Sequence, residues 1–120
     1  PLEFHDWPPG ARLQPGVWRI PVPVDGVPVV PQVVVAPVVG FDHDAYRLGY
    51  GGGFYDRTLA VANPRPRVIG VGYAAAELPS ILPQPHDVPM DLVVTELGIA
   101  ANRSQRPTVC PTFRMGAQNP

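Results

Sequence analysis

Between positions 47 and 57 the chain reads Arg-Leu-Gly-Tyr-Gly-Gly-Gly-Phe-Tyr-Asp-Arg, and these are residue types that handle phosphate. Four glycines in five positions, Gly49, Gly51, Gly52 and Gly53, allow successive backbone N–H groups to converge on one point, because glycine takes positive φ without steric cost. An arginine stands at each end of the run, and Asp56 immediately precedes the second one. An aspartate beside such a loop is a natural magnesium ligand, since Mg2+ prefers oxygen donors and shares them with phosphate. The run is not a P-loop, which needs Gly-Lys-Ser/Thr, and its glycine spacing is not that of a dinucleotide-binding turn. On chemistry alone, phosphate binding and a structural glycine-rich turn are both open readings.

The elements around the loop bear on that choice. An apolar run from Val33 to Phe41 leads in and a helix-compatible stretch over residues 55–62 leads out. Strand, loop and helix in that order place phosphates at a helix N-terminus. Valine dominates residues 29–39, which predicts a strand of a parallel sheet buried on both faces. Pro37 interrupts it, so the regular part is expected at 32–36, with further buried strands at 68–73 and 92–95. Asn63-Pro-Arg-Pro-Arg67 ends the helix. One helical turn fits residues 74–78, a short edge strand fits 17–22, and residues 41–46 read as a polar loop, while 2–16 wind across a surface. Alternating β and α elements argue for an open α/β sheet.

Composition narrows the class. A chain of 120 residues allows one domain. Net charge is −1, so no nucleic-acid or membrane partner held by bulk electrostatics is indicated. All nine basic residues are arginine. The 18 prolines exceed the usual share of about 5% roughly threefold, so helices are expected to be few and short. The single cysteine, Cys110, cannot form an internal disulfide, and no apolar run approaches the ~20 residues of a membrane span. A cytoplasmic setting is the expectation. From residue 100 onward periodicity disappears, and a flexible tail over 100–120 is expected after a domain at 1–99.

Several segments occur in an order that resembles the 5-formyltetrahydrofolate cyclo-ligase family, also called methenyltetrahydrofolate synthetase. Trp18-Arg-Ile-Pro-Val-Pro23 comes first, followed by Val35-Ala-Pro-Val-Val-Gly-Phe-Asp42. The glycine run ends in Phe54-Tyr-Asp-Arg57 and is followed by Val68-Ile-Gly-Val-Gly-Tyr73. Leu82-Pro-Gln-Pro-His-Asp-Val-Pro-Met-Asp91 and Val93-Val-Thr-Glu96 close the series. The resemblance spans residues 2–96. Family members carry a substantial portion before it, so the chain resembles a C-terminal part. The implied fold is a Rossmann-like three-layer α/β structure: an open, mostly parallel sheet flanked by helices, without the N-terminal part.

The resemblance implies an ATP- and Mg2+-dependent enzyme acting on 5-formyltetrahydrofolate, with no nucleic-acid or membrane partner and a monomer as the simplest state. A truncated, inactive nucleotide- or folate-binding relative is the alternative. It implies that Arg47, Leu48, Gly49, Tyr50, Gly51, Gly52, Gly53, Phe54 and Tyr55 surround the nucleotide. Arg47, Tyr50 and Asp56 are the implied catalytic residues, and Asp56 and Asp87 the implied metal ligands. Position 54 is commonly Tyr in relatives and Phe here, which removes a hydroxyl and keeps a flat ring. Taken as residues, Asp56 could equally be a first-turn carboxylate and Asp87 an Asx-type turn. Arg57 could pair with Asp42 or Asp44 or cap the loop. His5, His43 and His86 read as surface or turn residues, Asp91 as a cap on strand entry and Glu96 as structural. Asp42 receives no distinct job.

Overall fold

The computed structural model describes residues 1–49 and 51–103. Tyr50, Cys110 and residues 104–120 of the expected tail lie outside the described residues. In chain order the elements are β1 (Phe4–His5), β2 (Leu13–Pro15), a 3-10 turn (Val17–Arg19), β3 (Pro21–Pro23), β4 (Pro28–Val29) and β5 (Val33–Pro37). Then come β6 (Gly40–Phe41), β7 (Arg47–Leu48), α1 (Phe54–Val61), β8 (Arg67–Val71), a second 3-10 turn (Ala74–Ala76), β9 (Leu92–Thr95) and β10 (Gly98–Asn102).

The central sheet has four strands in the order β10-β9-β8-β5. β5 runs parallel to β8 and β8 parallel to β9, with Val34 opposite Val68 and Gly70 opposite Val93, while β10 returns antiparallel to β9. Valine and isoleucine suit these strands because a branched Cβ packs well on a pleated surface. One face gathers Ala36, Val68, Val93 and Ala101, and Leu59 of α1, Phe41 and Met90 close over it. Gly70 is required here: a Cβ would stand 2.5 Å from the Met90 sulfur. Burying Leu59 contributes about 2 kcal/mol. Two short ribbons, β1 with β4 and β2 with β3, carry the proline-rich N-terminal third.

The mixed, mostly parallel α/β sheet matches the sequence reading, but the opposite face does not. Val33 and Val35 are 53% and 61% exposed, against 3% and 0% for Val34 and Ala36. Val71 and Ile99 share that open face. Burial on both faces therefore fails for β5. The reason is that α1 is the sole α-helix among the described residues and packs on the other face, so a three-layer arrangement is not present there.

Three local expectations also change. Residues 17–22 are not one strand, because Trp18 and Arg19 turn into the left-handed region at φ 54° and 61° and only Pro21–Pro23 extends. The polar loop read at 41–46 is the turn of a β6–β7 hairpin, with Phe41 itself in β6 and with Phe41, Asp42 and Ala45 buried. β10 continues through Asn102, beyond the boundary expected after residue 99, and inserts Ala101 into the core.

Candidate functional site

The glycine run delivers the chain into α1 as expected, but the strand before it is the two-residue β7 of a hairpin, not the apolar run from Val33 to Phe41, because the β6–β7 hairpin intervenes. Gly51 and Gly53 take φ of 93° and 65°, values that a side chain would strain. Gly53 is the N-cap and makes no side-chain cap, so the first turn of α1 keeps free backbone donors on the loop side. Among the described residues a Cβ at Gly51 would meet nothing within 4 Å, whereas one at Gly49 would meet Arg47 and one at Gly52 would meet Phe54.

Arg47 is held rather than free. Its Nε donates to the Pro37 carbonyl at 2.8 Å, and its guanidinium lies 4.4 Å from the centroid of Tyr55. The side chain thus bridges the end of β5 and the first turn of α1, while its terminal nitrogens stand against Gly49. Leu48 lies on β7 and is exposed. Phe54, 42% exposed, sits under Arg57 at 5.0 Å and meets Trp18 edge-on at 6.4 Å. Arg57 is therefore placed on an aromatic face at the loop, and Asp42 takes its partners from backbone instead.

Asp56 is joined by a backbone hydrogen bond to the segment that carries Asp87. Asp56 Oδ1 accepts the N–H of Val88 at 3.0 Å, so its carboxylate lies one residue along the chain from Asp87. Asp87 Oδ2 accepts the Gln84 N–H at 2.7 Å, and its Oδ1 is 3.5 Å from His86 Nε2. Asp56 Oδ2 takes no protein hydrogen bond among the described residues. Among those residues no group of three or more His, Cys, Asp or Glu is clustered for a metal. Two carboxylates suit Mg2+, which commonly takes one or two from the protein and the rest of its shell from water and phosphate. Asp56 and Asp87 are carboxylates of that kind, on segments joined by the Val88–Asp56 bond.

Asp91 and Glu96 support backbone. Asp91 Oδ2 accepts the N–H of Val68 at 2.8 Å, at the entry to β8, and Glu96 Oε1 accepts that of Ala74. His5 and His43 pair with Glu3 and Asp44 near the surface. Two features had no assigned role in sequence. Asp42, 2% exposed, receives three backbone N–H groups. Trp18, 79% exposed in a strained turn, abuts the loop through Phe54. The Asp-His-Asp turn pattern after Phe41 signals the first; no local pattern signals that Trp18 meets a ring 36 positions away.

Comparison with known proteins bears on this geometry. Residues 11–96 match the model of the 5-formyltetrahydrofolate cyclo-ligase family. The 5-formyltetrahydrofolate cyclo-ligase of Mycoplasma pneumoniae is 40% identical over 60 residues, which cover 50% of this chain and 36% of that protein. The protein of the same name from Haemophilus influenzae is 32% identical over 90 residues, 72% of this chain and 48% of the relative. The NMR structure of Aquifex aeolicus 5,10-methenyltetrahydrofolate synthetase superposes with a TM-score of 0.67 at 31% identity, over 90% of this chain and 56% of that one. The chain spans between about a third and a half of the length of the curated relatives it matches. It belongs to the 5-formyltetrahydrofolate cyclo-ligase family.

Proposed function

We propose that this chain supplies the nucleotide- and metal-binding part of an enzyme converting 5-formyltetrahydrofolate and ATP to 5,10-methenyltetrahydrofolate, ADP and phosphate. The formyl oxygen is amide-like and leaves poorly. Transfer of the γ-phosphoryl group to that oxygen makes it a good leaving group. N10 then attacks the formyl carbon, and phosphate departs with the oxygen as the ring closes. Such a reaction asks the protein for alignment and charge neutralisation more than for covalent chemistry. The loop at Gly49 to Gly53 offers N–H donors, and Arg47 offers charge at a position fixed by Pro37 and Tyr55. Tyr50 belongs to the proposed site by sequence alone. Mg2+, when bound, would neutralise phosphate charge beside Asp56 and Asp87.

The observation that carries this reading is the bond from Val88 N–H to Asp56, which joins the glycine-loop helix to the segment bearing Asp87. The test is an absorbance assay for methenyltetrahydrofolate, with 5-formyltetrahydrofolate, ATP and Mg2+ and a control lacking ATP. ATP-dependent product is the expected outcome; its absence from folded protein that still binds ATP would leave a nucleotide-binding relative. The open face at Val33 and Val35 favours that second reading.

A further inference from the structure

We infer that Asp42 is a positioning residue, a buried carboxylate that holds the segment bearing Asp87 in register with the glycine loop; this rests on the function proposed above. Its Oδ1 accepts the N–H groups of Asp44 at 3.0 Å and Tyr46 at 3.1 Å, and its Oδ2 accepts that of Ile81 at 3.2 Å. At 2% exposure, a carboxylate is costly to bury unless its oxygens are satisfied. Closing the 42–46 turn requires only Oδ1. The second oxygen is committed to a residue 39 positions away.

The destination of that second oxygen gives it a role. From Glu77 to Asp91 the chain has no helix or strand, and it is fastened to the hairpin and to α1 at a few points. Leu78 N–H donates to the Phe41 carbonyl and Met90 N–H to the Ala45 carbonyl, each at 2.8 Å. Between them, Asp42 takes Ile81 and Asp56 takes Val88. Asp87 lies in the span bracketed by these two carboxylates, in a tight turn closed onto Gln84. The hairpin that carries Asp42 also carries Arg47, so one buried group sets both limbs of the site.

Asp42→Asn isolates this link. A carboxamide oxygen can keep the donors of Asp44 and Tyr46, but its NH2 then faces the N–H of Ile81, donor against donor. Backbone hydrogen exchange is read first. In Asp42→Asn the amides of Ile81, Gln84 and residues 86–88 are expected to exchange roughly tenfold faster, with those of α1 and β8 unchanged. Affinity for ATP is read next, with and without Mg2+. The tightening produced by Mg2+ is expected to fall roughly tenfold, with the metal-free affinity preserved. In an Asp87→Asn background, adding Asp42→Asn is expected to change that tightening no further, a non-additivity that general destabilisation does not produce. Unchanged exchange at Ile81, or independent effects of the two substitutions, would overturn the inference. If Asp42→Asn does not fold, Ile81→Pro removes the same hydrogen bond from its donor side, and exchange at Gln84 and residues 86–88 together with the Mg2+ tightening is read instead. If the parent protein binds no ATP, the proposed function fails, and the exchange at Ile81 decides for or against the Asp42 link alone.

Discussion

Under the proposed function Asp56 serves two demands with two oxygens: Oδ1 secures Val88, and Oδ2 would meet the metal. Asparagine can keep the first bond and cannot supply the second charge. In a form with the full length of the relatives, Asp56→Asn is therefore expected to lower turnover about a hundredfold, with stability changed by less than about 1 kcal/mol. Steady-state kinetics beside a denaturation curve measures both, and full activity would remove Asp56 from the metal site. Trp18 allows an optical test. In a Trp7→Phe background, its emission is expected to shift when ATP and Mg2+ are added, because Phe54 couples its ring to the loop. An unchanged spectrum at saturation would place the nucleotide away from Phe54. At this scale the sequence was informative where chemistry is local: Asp56 and the glycines announce themselves within eleven residues. Asp42 was legible only as a turn residue, through Asp44 and Tyr46, while its bond to Ile81 and the contact of Trp18 with Phe54 join residues distant in the chain.

Among the elements, α1 deserves the closest test because it carries Tyr55, Asp56 and Arg57 and buries one side chain fully, Leu59. Leu59→Ala is expected to cost about 3 kcal/mol and to loosen the Arg47–Tyr55 and Asp56–Val88 contacts together, since both depend on the seating of the helix. Urea unfolding followed by circular dichroism reads the loss; a change below about 1 kcal/mol would mean that these polar contacts seat the helix. Element positions were largely legible. The helix was expected at 55–62 and stands at Phe54–Val61, and β9 falls at Leu92–Thr95 as read. The burial of β5 was misread because an unbroken valine run looks the same whether one face is covered or two. Val33 and Val35 differ from Val34 only in what lies above them.

For the molecule as a whole, the open face of the sheet is the dominant fact. Val33, Val35, Val71 and Ile99 form an apolar surface on a mostly parallel sheet, a class ordinarily covered on both sides. Surfaces of this kind drive association. Val35→Lys is expected to reduce concentration-dependent light scattering while leaving stability within about 0.5 kcal/mol, as at an exposed site. A large loss of stability would instead show the face to be covered in solution. No helix among the described residues is long and apolar enough to cross a membrane. A fold with so much apolar surface uncovered has little stability to spare, yet the turn at Trp18 and Arg19 holds two non-glycine residues at positive φ, a strain of about 1 kcal/mol or more each. Selection for heat resistance alone would then move both positions toward glycine or asparagine. If the proposed function is selected as well, retention of tryptophan at position 18 would measure what its contact with Phe54 is worth to the cell.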